Sequence, residues 1–233
     1  MMYTHLYDNQ ASKKRKKLMA KTRQLAKPQT TALVLIEYQN DFLSEKGAMH
    51  NGVKDVLASS NMLANTLATV EKARAMGATI MFVPIVFADG FGELGPHPYG
   101  LLEKVVEAKG FRKGTWGAEI IDALPRHAGD IVVEGKRGFD GFATTNLDFL
   151  LRWHGITTIA IAGLLTNCCV ESTARTGYDK GYDVVTLTDC TATIGEKEQR
   201  AAVENNFWMF SRPLEHLEFL AELESHAVRN SAA

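Results

Sequence analysis

This 233-residue chain has few cysteines, almost no net charge and only short apolar runs. Each of these features excludes some classes of protein. Two of its three cysteines are adjacent, which argues against a disulfide framework and favours a reducing, cytoplasmic setting. The formal net charge of −1 provides no overall field that would select nucleic acid or a membrane surface. No apolar run approaches the ~20 residues that span a bilayer, and the N-terminus lacks the apolar core of a secretory signal. We therefore expect a cytoplasmic protein without nucleic-acid or membrane partners.

What the chain does contain is a regular alternation of strand and helix patterns. Short apolar runs predict strands at 31–37, 79–87, 130–134, 156–162, 183–187 and 207–210. Helical spacing predicts helices at 53–76, 101–108, 118–124, 144–154, 197–206 and 214–224, with a further helix after the adjacent cysteines. The alternation predicts one α/β domain, residues 30–225, with three α-β-α layers and a mostly parallel, doubly wound sheet of five to six strands.

Both ends of the chain are predicted to lie outside this domain. Residues 1–29 form an N-terminal basic arm whose residues 13–17 are all lysine or arginine, and residues 226–233 form a flexible C-terminal tail. A basic cluster can bind nucleic acid. The rest of the chain offers no extended basic face, so a solvated arm that lies on a neighbouring subunit is favoured.

The adjacent cysteines, Cys168 and Cys169, follow a buried-strand pattern at 156–162 and a tight turn, and they precede a helical segment. In open α/β sheets ligands bind where a strand's carboxyl end meets a helix N-terminus. The unpaired N–H groups and partial positive charge of a helix N-terminus favour thiolate over thiol. The alternative is that these cysteines are core side chains, because cysteine is among the most buried residue types.

Two further residues fall at predicted strand ends on the same edge. Glu37 ends the first strand and Lys136 follows the third, although a solvated carboxylate and a surface lysine are the simpler interpretations of each alone. Together with a thiol they make chemical sense, since a carboxylate can transfer protons and an ammonium favours the thiolate. If Glu37 is not the proton acceptor, Asp41 and Asp140 are the alternatives.

Three stretches resemble the isochorismatase-like cysteine hydrolases, a family that includes nicotinamidase, N-carbamoylsarcosine amidohydrolase and the biuret and ureidoacrylate hydrolases. They are LVLIEYQNDF, GDIVVEGKRGFDGFATTNLDFLL and GLLTNCCVESTARTGYDKGYDVVTLTDCTA, within residues 31–192. The resemblance implies that Cys169 is the nucleophile, Lys136 the catalytic lysine and Glu37 the acid/base, at a position where the family usually carries aspartate. It also implies a cis peptide bond at Leu164–Leu165, with the Leu165 and Cys169 N–H groups as an oxyanion hole.

The resemblance further implies hydrolysis of a small-molecule amide or ureido C–N bond through an acyl-enzyme, in a homo-oligomer such as a dimer or tetramer. Nicotinamidases bind a metal with an aspartate and two histidines after the second strand; the loop here offers Asp89 and His97 but no such trio, so we expect no metal and no cofactor. Two alternatives remain open: an inactive binding or regulatory protein of this fold, or an isochorismate-type vinyl ether hydrolase. The candidates for pocket walls, which could equally be core residues, are Phe42, Trp116, Phe139 and Phe142.

Overall fold

The computed structural model describes residues 26–231, so most of the predicted basic arm lies outside the described residues. The strands are β1 (Thr31–Ile36), β2 (Thr79–Val83), β3 (Ile131–Val132), β4 (Thr158–Leu164), β5 (Asp183–Ala192) and β6 (Arg212–Leu214). The α-helices are α1 (Asn40–Leu43), α2 (Lys54–Ser60), α3 (Met62–Ala75), α4 (Leu101–Ala108), α5 (Leu147–Trp153), α6 (Glu171–Asp179), α7 (Glu196–Ala201) and α8 (His216–Ser231). Short 3₁₀ turns lie at Pro28–Thr30, His50–Gly52, Gly92–Leu94, Trp116–Ala118 and Phe207–Met209, and π-helical turns at Thr166–Val170 and Ala202–Asn206.

The six strands form one sheet in the order β3-β2-β1-β4-β5-β6, and every pair is parallel. The chain therefore builds outward from β1 through β2 to β3, and then returns to the other side of β1 with β4. This reversal confirms the predicted doubly wound sheet. It also places a topological switch point between the carboxyl ends of β1 and β4, which is where α/β sheets open a crevice for ligands.

The side chains of β1 alternate between two hydrophobic cores, one on each face of the sheet. Leu33 and Leu35 join the core that includes residues of α3 and α8, whereas Val34 and Ile36 join the core under α5 and α6. Strands that are buried on both faces read as continuous apolar runs, which is the reason that TALVLI was recognisable in the sequence. The three-layer α-β-α architecture is thus confirmed.

One predicted helix is divided in two and another is absent. The helix expected over 53–76 is interrupted at Asn61, which adopts a left-handed conformation with φ 50° between α2 and α3. Asparagine tolerates this region better than most residues. The segment 118–124 is not an α-helix, because Ile120 pairs with Gln39 in an antiparallel bridge and the Ile121 N–H donates to the Tyr38 carbonyl.

The last part of the chain also differs from expectation. The strand predicted at 183–187 is longer than expected: after a register shift between Ile161 and Gly163, Thr191 and Ala192 pair with β4, so β5 extends to Ala192. The strand predicted at 207–210 is a 3₁₀ turn, and β6 forms slightly later at Arg212–Leu214. Helix α8 continues to Ser231, so residues 226–231 of the predicted C-terminal tail are helical.

Among the described residues 26–231, no helix combines the length and apolarity that a bilayer crossing requires. This agrees with the short apolar runs of the sequence.

Candidate active site

Glu37 is the first residue after β1 and lies at the switch point. Its φ of 58° is left-handed, and its N–H donates to the Val83 carbonyl of β2. Its side chain is buried. A left-handed conformation is costly for a residue with a side chain, so the surrounding structure must hold Glu37 in it.

Lys136 lies in the loop after β3, two strands away from β1. Gly135, with φ 99°, precedes it, and a Cβ at Gly135 would lie 2.3 Å from the Thr144 carbonyl oxygen, so only glycine fits. The Val86 N–H donates to the Lys136 carbonyl and holds the loop over the end of β2. This turn brings the lysine side chain back towards β1, where it is fully buried.

Glu37 and Lys136 form a buried ion pair, with 2.5 Å between Lys136 Nζ and Glu37 Oε1. The ammonium also donates to the Gly138 carbonyl. Burial by itself lowers the pKa of Lys136, but the neighbouring Glu37 carboxylate and Cys169 thiol outweigh it and raise that pKa above its ordinary value. Lys136 therefore stays positively charged. Its charge compensates the buried Glu37 carboxylate, which would be strongly unfavourable without a partner.

Cys169 lies in the π-helical turn that connects β4 to α6, and it is only 3% exposed. Just before the turn, β4 approaches β1 closely at Gly163, where a Cβ would lie 2.1 Å from the Ile36 carbonyl oxygen. The structure thus brings Cys169 together with Glu37 and Lys136, since both charged groups affect the pKa of this thiol.

The expected thiolate at Cys169 is not supported. Its hydrogen bond with the Cys168 thiol, burial and the Glu37 carboxylate raise the pKa of Cys169 well above its ordinary value, in spite of the opposing charge of Lys136. The same hydrogen bond lowers the pKa of Cys168, although partial burial opposes it. With its pKa raised, the Cys169 thiol keeps its proton until a base removes it.

This arrangement predicts which thiol reacts first. Under native conditions at neutral pH, we expect iodoacetamide to modify Cys168 at least about tenfold faster than Cys169 or Cys190, because Cys168 is half-buried whereas the other two thiols are buried. Cys190 is buried, and burial together with Asp189 raises its pKa to about 12. Fragment-ion mass spectrometry of native and denatured samples measures each site. Modification of Cys169 before Cys168 would contradict the prediction.

The peptide bond Leu164–Leu165 is cis, as the resemblance implied. The Leu165 carbonyl accepts the N–H groups of Cys168 and Val170 and so joins the π-helical turn. Leu165 therefore precedes the turn and Cys169 lies within it, and the resemblance assigns their N–H groups to an oxyanion hole. That role stays a prediction.

The four aromatic candidates for pocket walls divide into two pairs. Phe42 and Phe142 are core side chains, which contact Phe111 and Tyr182 at ring-centroid distances of 5.0 and 6.0 Å. Trp116 and Phe139 are 48% and 38% exposed, and Phe139 follows the glycine whose carbonyl accepts the Lys136 ammonium. Only Trp116 and Phe139 thus have surface left for a substrate.

The two alternative carboxylates are engaged elsewhere. Asp41 accepts the N–H groups of Ala48 and Phe111 at 3.0 and 2.6 Å, and Asp140 accepts the N–H of Phe142 at 2.9 Å. Both therefore stabilise loops, and neither replaces Glu37 as an obvious proton acceptor.

Thr173 is a site residue that sequence reasoning missed. Its hydroxyl donates to the Cys169 carbonyl at 2.7 Å and accepts the Gly141 N–H at 2.8 Å. It therefore ties the cysteine turn to the loop that carries Lys136. The available signal was its position four residues after Cys169, since a helical threonine can bond the carbonyl one turn earlier.

Among the described side chains, one group could in principle ligate a metal, and it consists of Asp189, Cys190 and His216. However, His216 Nδ1 lies 2.5 Å from Asp189 Oδ2, as a hydrogen-bonded pair does. Two ligands of a tetrahedral zinc ion lie roughly 3.3 Å apart, given bonds of about 2.0–2.1 Å. The group therefore fits a hydrogen-bonded cluster better than a metal centre, and the expectation of no metal stays a prediction.

Comparisons with known proteins identify relatives across most of the chain. A family model described as the isochorismatase domain matches residues 31–218. The ureidoacrylate amidohydrolase RutB of Pantoea ananatis is 35% identical over 190 residues, which cover 76% of each protein. RutB of Methylorubrum extorquens is 32% identical over 216 residues, or 88% of this chain and 87% of the relative.

Two solved structures share the fold. A cysteine hydrolase from Pseudomonas syringae pv. phaseolicola 1448A has a TM-score of 0.76 at 22% identity and covers 88% of this chain and 97% of its own. An N-carbamoylsarcosine amidase from Thermoplasma acidophilum has a TM-score of 0.63 at 23% identity, with 80% and 96% covered. At these identities the likeness concerns the fold alone.

Proposed function

This chain belongs to the isochorismatase family, and from that membership and the site geometry we propose that it is a cysteine hydrolase of a C–N bond in a small amide or ureido compound. The observation that carries the proposal is the fully buried Glu37–Lys136 ion pair beside the Cys169 thiol. Burying two charges is expensive, and a scaffold alone gains little from doing so at the switch point of its sheet.

In the proposed first half-reaction, Cys169 Sγ attacks the carbonyl carbon of the substrate while Glu37 accepts the thiol proton. The raised pKa of Cys169 makes this base necessary, since the resting thiol is protonated. The Leu165 and Cys169 N–H groups stabilise the developing oxyanion. The C–N bond then breaks, the leaving nitrogen takes the proton from Glu37, and a thioester or thiocarbamate remains on Cys169.

In the second half-reaction a water molecule attacks the acyl carbon and Glu37 accepts its proton. The C–S bond breaks, and the proton returns to the Cys169 sulfur. Lys136 remains charged throughout. It compensates the negative charge, which alternates between the Glu37 carboxylate and the Cys169 thiolate. Each proton thus moves between groups that the ion pair holds in place.

The substrate class rests on the relatives. The RutB proteins are named for ureidoacrylate, a ureido compound, and they are 32–35% identical to this chain. Trp116 and Phe139, two of the predicted pocket walls, are partly exposed aromatic side chains, and such surfaces suit a small planar group. We therefore propose a ureido or carboxamide substrate.

A substrate panel tests the function. We expect ammonia release from ureido acids or primary carboxamides and none from a Cys169→Ala chain, because the thiol forms the covalent bond. A vinyl ether of the isochorismate type serves as the comparison compound, and its hydrolysis by the Cys169→Ala chain would contradict the proposal. Failure to hydrolyse every compound would favour a binding or regulatory protein of the same fold.

We also propose that the chain forms a homo-oligomer in the cytoplasm. Phe149 and Trp153 stack on one another along α5 and are mostly exposed, and exposed apolar patches of this kind mark interaction surfaces. Cysteines 168, 169 and 190 are free, which fits a reducing compartment. The basic arm predicted to cross the subunit boundary falls mainly outside the described residues.

A further inference from the structure

Three segments of the chain meet at the candidate site, and the sheet joins only two of them directly. Glu37 follows β1 and Cys169 follows β4, and these two strands pair with each other. Lys136 arrives from β3, which is separated from β1 by β2. The lysine loop, residues 135–141, therefore depends on contacts outside the sheet to stay beside the cysteine turn.

Thr173 of α6 provides such a contact. Its side chain is fully buried, and its hydroxyl donates to the Cys169 carbonyl at 2.7 Å. The same hydroxyl accepts the Gly141 N–H at 2.8 Å. Helical threonines often bond the carbonyl one turn earlier, but here a second bond crosses to the lysine loop. One buried oxygen thus joins the backbone of the proposed nucleophile to the end of the loop that carries Lys136.

The same contact includes the residue that precedes Glu37. A Cβ at Gly141 would lie 3.0 Å from Thr173 Oγ1, 3.1 Å from Thr173 Cγ2 and 3.5 Å from Ile36 Cδ1. Gly141 therefore packs between α6 and the end of β1, and its approach to Thr173 is closer than a side chain allows. Thr173, Gly141 and Ile36 form a junction of the three segments that supply the site.

We propose that Thr173 is a positioning residue, whose hydroxyl fixes the Lys136 ammonium relative to the Cys169 sulfur. It touches no reacting atom, because its bonds go to backbone groups of the two segments. Its effect on turnover rests on the proposed hydrolysis, whereas its effect on the Cys169 thiol requires no substrate. The alignment matters because misplacement of a catalytic group by about 1 Å can cost ~10²-fold in rate.

Thr176 offers a matched comparison on the same face of α6, three residues further along. Its hydroxyl donates to Asp140 Oδ2 at 3.0 Å, so it also binds the lysine loop. Its partner is a side chain, whereas Thr173 binds backbone groups of both segments. Loss of either hydroxyl should therefore weaken the attachment of the loop, but only loss of the Thr173 hydroxyl should misalign Cys169.

Thr173→Val keeps nearly the shape of threonine and removes both bonds. We expect kcat to fall at least about tenfold while KM changes less than about threefold, because the alignment acts on the chemical step. Thr173→Ser keeps the hydroxyl and should restore most of kcat, and Thr176→Val should stay within about twofold of the wild type. Thermal unfolding midpoints measured alongside show whether lower stability accounts for a loss. Equal losses in the two valine variants, or no restoration by serine, would overturn the proposal.

A second measurement reads the alignment without a substrate. In a chain that carries Cys168→Ala, alkylation of Cys169 by chloroacetamide is followed by mass spectrometry over a range of pH. We expect Thr173→Val to move the midpoint of this profile upward by about one pH unit, because an ammonium held near a thiol favours the thiolate. Thr176→Val should leave the midpoint unchanged. A wild type that hydrolyses no compound would contradict the proposed function alone, whereas an unmoved midpoint in Thr173→Val would overturn the role of Thr173.

Gly141→Ala tests the contact from the other side and covers the case in which Thr173→Val does not fold. The added methyl group would meet the Thr173 hydroxyl at 3.0 Å, so the lysine loop must shift. We expect the same loss of kcat and the same upward shift of the alkylation midpoint. Wild-type values of both quantities in Gly141→Ala would overturn the proposal.

Discussion

Cys169→Ala is expected to lower hydrolysis by on the order of 10⁴-fold or more, because the chain then has no nucleophile to form the covalent intermediate. The fold should persist. Alanine removes one small buried atom group from the core under α5 and α6, and such truncations cost about 1 kcal/mol when only little volume is lost. Steady-state ammonia release and the thermal unfolding midpoint, measured on the same preparation, separate the two effects.

Cys168→Ala is the matched control, since it removes the neighbouring thiol from the same turn. We expect this variant to retain turnover, because Cys168 transfers no atom or proton in the proposed mechanism. Loss of the hydrogen bond between the thiols also removes the largest cause of the raised pKa of Cys169. If Cys168→Ala is inactive while Cys169→Ala hydrolyses substrate, the assignment of the nucleophile is wrong.

Glu37→Gln is expected to lower kcat by on the order of 10²-fold or more, because the amide has the shape of the carboxylate but accepts no proton. Because the pKa of Cys169 is raised, its resting thiol is protonated and needs this acceptor to lose the proton. The substitution also leaves the buried Lys136 ammonium without its partner, which destabilises the chain by about 3–5 kcal/mol. Activity must therefore be measured well below the unfolding midpoint of the variant.

Glu37→Asp tests the reach of the carboxylate and restores the residue that the family usually carries. Aspartate is shorter by one C–C bond, about 1.5 Å, and the contact with Lys136 Nζ is only 2.5 Å long with glutamate. The left-handed backbone at Glu37 directs the longer side chain, so we expect aspartate to lose activity as well, since misplacement by about 1 Å can cost ~10²-fold. Glu45 is exposed, so Glu45→Gln provides a control substitution that should leave activity unchanged. Full activity in Glu37→Gln would remove this residue from the mechanism.

Much of the architecture could be predicted because the central strands are buried on both faces. Their sequences, TALVLI and TIAIAGL, are continuous apolar runs that no loop tolerates. Edge strands have shorter patterns. β3 contains two residues within the predicted 130–134, whereas β6 contains three residues that follow the predicted 207–210, and its position depends on pairing with β5. The polar end of β5 was missed for the same reason, since its partners in β4 determine it.

The candidate site shows the same division. The sequence showed that each of three site residues follows a predicted strand, because strand ends and glycine turns have local patterns. These residues are Glu37, Lys136 and one of the two adjacent cysteines. Their meeting depends on strand order, which places β1 beside β4 and requires the loop after β3 to return across β2.

The sequence by itself determined the fold class, the strand-end positions of the charged residues and the family resemblance, because these depend on local periodicity and short motifs. Only the tertiary structure decided which of the two adjacent thiols is buried, that Glu37 and Lys136 are an ion pair, and that the pKa of Cys169 is raised. The physical reason is that burial and charge–charge distance are properties of the assembled layers. Cys168 and Cys169 are the same residue type at adjacent positions in the sequence. They differ only in the direction in which the folded turn points their side chains.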